Sequence, residues 1–323
     1  MHFEPTLETL RGDGAAQHAR QAKVAEAVAQ CREDAALQPV LEALEAYGAG
    51  AALEDCAALV ALCECDGAAR DAMTPLVDHL VTLFREEPLA ELLFRHQSRE
   101  GFHLVQLAGK GRATLSLALH EERDATQDAP LATFPDAERH EIVLAGAADL
   151  ELVEILADHG ERVAIDREPR RVVAGECLAF SGPDQSRRIV QVHGLLLTLR
   201  LARIPAQPRP TRQFDLATGR LVHRASGDRR ESRQEMMIAL LGRMGRSDAA
   251  PVLADAAREG SAHFRWQALR ECLALDAGAG FPVLRAIAAD PLDPLAAHAG
   301  AVQAQLLEAH PELARLEATP CPA

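Results

Sequence analysis

A chain of 323 residues is long enough for about two or three domains, and with 48% hydrophobic residues it can bury sizeable cores. The formal net charge of −14 argues against sequence-independent binding to nucleic acid or to an anionic membrane, both of which need an excess of Lys and Arg. Aromatic residues make up only 3%, with Trp266 and Tyr47 the sole Trp and Tyr, so the cores must be built from Leu, Val, Ile and Ala.

The opening stretch MHFEPTLETLRGDG has neither a basic n-region nor an apolar h-region, so no signal peptide is expected. No apolar run approaches the ~18 residues of a membrane span. Seven cysteines without framework spacing suit a reducing cytoplasm. The Ala- and Arg-rich, Lys-poor usage is what a GC-rich bacterial genome gives.

Residues 1–14 read as a loose leader. Ala15–Arg32, Asp34–Tyr47, Leu53–Cys65 and Ala68–Arg85 are Ala/Leu/Glu-rich segments of good helix propensity. Gly48, Gly50 and Asp66-Gly67 punctuate them, and Thr74-Pro75 is a point for a kink or break. These segments predict a helical bundle over residues 1–95.

Strand-like periodicity begins near residue 96. Phe102–Ala108 and Arg112–His120 form a predicted hairpin about Gly109-Lys110-Gly111. In the second run Leu115, Leu117 and Leu119 alternate with Ser116, Ala118 and His120, which predicts a half-buried strand with His120 facing solvent. Arg123 to Pro135 reads as a loop. His140–Ala145 and Leu150–Leu156 are predicted as separate strands around Gly146. Arg162–Asp166, Arg171–Val173, Cys177–Phe180, Ile189–Val192 and Leu195–Leu201 follow, with His193-Gly194 a possible two-residue turn. Gln213–His223 resembles a hairpin about Thr218-Gly219. So many short strands in succession predict an antiparallel sandwich or barrel over residues 96–228.

Helical periodicity returns at Glu231. Pro251-Val252-Leu253 recurs as Pro282-Val283-Leu284, 31 residues on. Each copy follows a short acidic turn, at Ser247-Asp248 and at Asp276-Ala277-Gly278, and precedes a second helix, Phe264–Ala274 or Leu295–Leu307. This pattern resembles HEAT-like repeats, which implies a short α-solenoid over residues 229–323. The fold class expected for the whole chain is therefore α+β multidomain.

The stretch Arg170 to Arg203 resembles the second motif of the cupin family. Gly175 takes the place of that motif's first Gly. Ser181 then stands at its Pro position, Pro183 at its second Gly and Ser186 at its metal-binding His. No His-x-His of the first motif occurs, and Arg139-His140-Glu141 is the nearest His/Glu pairing. The resemblance implies a cupin-like β-barrel over residues 100–205 without that family's usual metal ligands.

By strand parity His103 shares a face with Val105 and Leu107, and His140 with Ile142 and Leu144; both faces are candidates for the barrel interior. His103, His140 and His193 are accordingly the candidate ligand or metal residues. Cys56, Cys63 and Cys65 cluster in sequence but lack zinc spacing, and read as small buried hydrophobes. Arg187-Arg188 and similar pairs are able to dock a carboxylate or phosphate, but read first as solvated charge. Asp78-His79 and Asp158-His159 read as surface pairs. Arg265, Trp266 and Arg270 are interface candidates on a solenoid helix, set against a plain core role for the Trp. No nucleophile elbow, P-loop or dinucleotide fingerprint occurs.

The expected function is a non-catalytic cytoplasmic binding or assembly protein, contacting a protein partner or a second copy of itself, with no cofactor. The alternatives are a divergent metal-dependent cupin enzyme, an oxygenase or isomerase using a divalent metal, and a small-ligand sensor.

Overall fold

The computed structural model describes residues 14–64, 67–87, 91, 93–122 and 130–318. The expected leader, most of the Arg123–Pro135 loop and Cys65 lie outside these residues. The chain divides into two compact units. One comprises residues 1–206 and 213–222; the other comprises residues 207–212 and 223–323. Among the described residues no helix is long and apolar enough to cross a membrane.

Among the described residues, the first unit begins with the α-helices α1 (Gly14–Arg32), α2 (Gln38–Ala49), α3 (Ala57–Glu64) and α4 (Ala68–Glu86). Pro75 does not break α4, which runs through it. Gly48 does not punctuate a helix end either. It lies within α2, and a Cβ there would sit 1.9 Å from the Lys110 carbonyl oxygen. Glycine at this position lets the backbone of a sheet hairpin approach the helix, and the Arg112 amide donates to the Gly48 carbonyl at 3.2 Å.

Among the described residues ten strands follow: β1 (Arg95–Arg99), β2 (Phe102–Lys110), β3 (Ala113–Glu121), β4 (Leu131–Phe134), β5 (Glu138–Asp158), β6 (Val163–Val173), β7 (Cys177–Phe180), β8 (Gln185–Arg203), β9 (Thr211–Asp215) and β10 (Leu221–Ala225). All described pairings are antiparallel. A seven-stranded sheet runs β1-β2-β3-β8-β5-β6 with β7 also on β5, and a three-stranded sheet runs β10-β9-β4. Among the described residues the hydrogen-bonded order runs from β1 to β6 without returning, and the strands form two sheets. Phe134 and Phe214 of the small sheet share a core with Val153 and Val163 of the large one.

Several strands that read as separate are continuous. β5 passes straight through Gly146, whose φ of 84° makes a bulge; a Cβ there would meet the Leu195 carbonyl oxygen at 1.8 Å. β8 likewise passes through His193-Gly194, so that pair is a bulge inside a strand and not a hairpin turn. Pro169 is tolerated inside β6 because β6 is an edge strand. Leu131–Phe134, read as loop, is strand β4.

The Leu face of β3 is covered by the helices. Leu115, Ile142, Leu144, Leu199 and Leu201 share one buried cluster with Val24, Leu44, Tyr47, Leu59 and Met73 of α1–α4. The helices therefore share a core with the sheet. At one edge of that contact Arg203 stacks 4.0 Å from the Tyr47 ring and bonds Glu138 at 2.7 Å, while the Tyr47 hydroxyl donates to Glu138 at 2.8 Å.

The second unit contains α5 (Arg229–Arg243), α6 (Ala250–Ala256), α7 (Ala262–Leu275), α8 (Ala277–Ala289) and α9 (Ala296–Ala309). Asp228, Ser261 and Asp276 cap α5, α7 and α8 through side-chain oxygens that accept from the first-turn amides. The two Pro-Val-Leu copies are not equivalent: Pro251 opens α6, whereas Pro282 lies inside α8. Leu253, Phe264, Leu269, Phe281, Leu284 and Ile287 form the core of this unit.

Candidate functional site: an arginine-lined cleft in the sheet unit

The face of β3 that was expected to meet solvent looks inward. Because α1–α4 cover the leucines, Ser116, Ala118 and His120 turn to the interior of the sheet unit. The same inversion applies to β5. His140, Ile142 and Leu144 face the helices, and Glu141 and Val143 face inward. The bends at Gly146 and Gly194 then bring the outer half of β8 over the inner half of β5. Arg187, whose register partner is Leu152, thereby reaches Glu141.

The result is a cleft of about 690 Å³, floored by β3, β5 and β8 and flanked by β4 and the β1–β2 turn. Five arginines (Arg99, Arg139, Arg187, Arg188 and Arg200) against two glutamates (Glu121 and Glu141) leave its lining with a formal excess of three positive charges. This concentration stands in a chain whose overall charge is −14.

Glu141 is the centre of the arrangement, with its side chain only 2% exposed. Its Oε2 accepts from Arg187 Nε at 2.5 Å. Arg200 Nε lies 3.1 Å from Oε1 and Arg139 Nη1 lies 3.9 Å away. The Arg200 approach is an ion pair but is not aligned as a hydrogen bond, which leaves Glu141 Oε1 and Arg200 Nε without hydrogen-bond partners among the described residues. Burial pushes the Glu141 carboxyl upward, and the Arg187, Arg200 and Arg139 guanidiniums overcome this and hold it at about 2. Arg139 stacks 4.8 Å from the Phe180 ring and donates to the Gln185 carbonyl at 3.2 Å. Burial brings Arg139 down to about 10, with Glu141 opposing that shift.

His120 completes the lining, with its ring 4.8 Å from that of Phe102. Burial, reinforced by Arg187 and Arg200, lowers its pKa to about 3, so the imidazole is neutral. Among the described residues, buried nitrogens without hydrogen-bond partners accumulate here: Arg139 Nε and Arg187 Nη2, alongside His120 Nε2. Native interiors rarely leave such groups unmet, and an anion in the cleft would satisfy the guanidinium donors. Ser186, which the sequence resemblance sets at a metal-ligand position, lines the same cleft and donates its hydroxyl to the Thr133 carbonyl at 2.5 Å.

The three candidate histidines find three different surroundings. His103 bonds Ser98 at 2.8 Å and lies 3.6 Å from Glu121. His193 bonds Asp149 at 2.8 Å. His140 faces Cys63 of α3 and Cys177 of β7. The expectation that the faces of His103 and His140 point into the barrel is corrected by the helical layer, which occupies that side. Arg187 is likewise corrected from solvated charge to a side chain 9% exposed, whereas its neighbour Arg188 remains more open and pairs with Glu151. Of the interface candidates, Arg265 is tied to Asp293 at 2.5 Å, and Trp266 packs edge-on against His298 at 4.2 Å. Arg270 is exposed beside Glu271. Asp78, His79, Asp158 and His159 lie at the surface as read.

The cysteines behave in two ways. Cys56 is a buried small hydrophobe, as expected. Cys63 instead meets Cys177. The hydrogen bond from Cys63, together with His140, draws the Cys177 thiol down to about 5 against the effect of burial, and Cys63 is pushed correspondingly upward.

No family model matches the chain, and no curated protein matches it. Among solved structures, part of the chain is similar to KdgF from Halomonas sp., at 14% identity over 34% of this chain and 88% of that one, with a TM-score of 0.25. It is also similar to the CENP-C cupin domain of Drosophila melanogaster, at 7% identity over 34% and 74%, TM-score 0.27. A third is the polyketide cyclase RemF from Streptomyces resistomycificus, at 17% identity over 41% and 81%, TM-score 0.27. At these scores none of them identifies what this chain does.

Proposed function

We propose that the sheet unit is a non-catalytic receptor for a small anion, a carboxylate or phosphate compound, bound in the arginine-lined cleft. The observation that carries this reading is the pair of buried guanidinium nitrogens without hydrogen-bond partners among the described residues, Arg139 Nε and Arg187 Nη2, beside a 690 Å³ space. Arginine presents a planar fork of donors that matches carboxylate and phosphate oxygens. Two lining groups favour binding over turnover, because neither exchanges a proton near neutrality: His120 is neutral down to about pH 3 and Glu141 is ionised down to about pH 2. In this reading the strands are a cupin-like sandwich whose metal position is taken by Ser186, the C-terminal helices are a short HEAT-like array, and the protein is cytoplasmic.

Thermal denaturation across a panel of carboxylates and phosphates in low-chloride buffer tests the proposal. A true ligand at 100 times its dissociation constant adds about 2.7 kcal/mol. Calorimetry on the wild-type chain should find the same compound, and Arg139→Met should abolish its effect. Arg139 suits this test because its contact with Glu141 is the longest of the three. A panel without any stabilising anion would sink the idea.

A second reading concerns the helical unit, in which a protein partner or a second copy of the chain docks on α5. Met236, Met237, Leu240 and Met244 are exposed along that helix, and adaptable Met-rich surfaces suit protein contacts. Light scattering of the wild type and of Leu240→Glu checks self-association.

A further inference from the structure

Apart from the arginine cleft, a second chemical site lies on the opposite face of the sheet. We propose that Cys63, His140 and Cys177 form a zinc site that fastens helix α3 to strands β5 and β7.

The geometry comes from three separate elements. Cys63 lies near the end of α3, His140 on β5 and Cys177 at the start of β7. The β5–β7 register pairs Ile142 with Cys177 and His140 with Ala179, so His140 and Cys177 are diagonal neighbours on one face of the sheet. The helical layer lies against that face, and Cys63 comes down on it. One ligand atom from each residue lies within 4.8 Å of the others. A tetrahedral ion bound at ~2.3 Å from sulfur and ~2.1 Å from nitrogen holds its ligand atoms about 3.6–3.8 Å apart, so the three side chains need to close in by up to about 1 Å on binding.

Two thiolates and one imidazole form a donor set that suits Zn²⁺ better than Mg²⁺ or Ca²⁺, which take oxygen ligands. None of the three residues is fully buried, and Cys63 also lines a 260 Å³ cavity together with Leu62, Arg70 and Val143. That space leaves room for water as the fourth ligand of a tetrahedral ion. Ligation takes place through thiolates, and any thiol proton still held is released to solvent on binding. The other polar contact of Cys177 is weak, at 3.9 Å to the Leu178 carbonyl, so ligation displaces little.

The test uses the full chain, purified without a polyhistidine tag or chelator. Elemental analysis should find one zinc per chain. Titration of the metal-free wild type with Co²⁺ should give the thiolate charge-transfer band and the intense visible bands of a tetrahedral thiolate site. Cys63→Ser, Cys177→Ser and His140→Ala should each lose or weaken these bands, and His140→Cys should keep them. The wild-type titration decides the matter even if a variant fails to fold. Absence of the bands in the wild type overturns the proposal. So does detection of a Cys63–Cys177 disulfide by mass spectrometry of protein alkylated without reduction.

Discussion

Arg187 donates from Nε to Glu141 Oε2 at 2.5 Å, at a point where the two side chains are 9% and 2% exposed. These residues lie on strands that pair elsewhere, Arg187 opposite Leu152 and Glu141 opposite Arg200, so the contact exists only because β5 and β8 bend at their glycine bulges. Removing the carboxylate would leave buried guanidiniums facing one another. Glu141→Leu should therefore destabilise the sheet unit by about 3–5 kcal/mol, the usual cost of breaking a buried ion pair from one side. Denaturant titration measures it. Added phosphate should recover part of the loss, because an anion in the cleft replaces the missing charge.

Acid should destabilise the same unit in two stages. The unfolded His120 takes up a proton near pH 6.5, but the folded one does so only near 3. Between those values the unfolded state binds more protons. The stability this group contributes is thus complete above 6.5 and lost as pH falls through about 3. Glu141 acts in the same direction over a lower window, from 4.5 down to about 2. Melting temperature against pH should fall through both windows, and His120→Leu should flatten the upper one.

Two glycine substitutions should have opposite signs. At Gly48 a methyl group would strike the Lys110 carbonyl, so Gly48→Ala should cost about 1–3 kcal/mol as an overpacked contact between α2 and the β2–β3 hairpin. At Gly300, within α9, nothing lies within 4 Å of the added Cβ. Gly300→Ala should stabilise by about 0.4–1 kcal/mol, through reduced freedom of the unfolded chain. Paired denaturation curves check both.

Tyr47 should resist ionisation. Burial, the hydrogen bond to Glu138 and the Glu138 charge all push its phenol well above the usual range, and the Arg203 guanidinium opposes them only in part. Because it is the sole tyrosine, the change in ultraviolet absorbance that accompanies phenol ionisation reports it alone. The phenolate signal should stay absent until alkaline unfolding, and Glu138→Gln should bring it to lower pH.

The helices were legible in sequence because Ala15–Arg32 and Ala68–Arg85 have strong local propensity, and α1 and α4 match them closely. The strand-rich centre was legible from the alternation of Leu115, Leu117 and Leu119. Which face pointed inward was not. Alternation marks a buried face, but it does not reveal that a helical layer covers the leucines and turns Ser116 and His120 to the interior. β1 was invisible because Arg95–Arg99 is exposed throughout and carries no apolar rhythm. Gly146 and Gly194 read as breaks because glycine marks a bulge and a turn alike. Arg187 and Arg188 look identical in sequence, and only the fold separates a buried guanidinium from an open one. The meeting of Cys63, His140 and Cys177 depends on three elements packing together, and no local spacing announces it.

The scarcity of aromatics has a practical outcome. Tyr47 belongs to the sheet-bearing unit and Trp266 to the helical one, and the chain has no other residue of either kind. Nature has thus placed one distinct optical label in each half. Phenol absorbance and indole emission, recorded on the same unmodified sample, report separately on when each half comes apart. Coincident transitions would mean that the halves unfold as a single cooperative block, and staggered ones that they unfold independently.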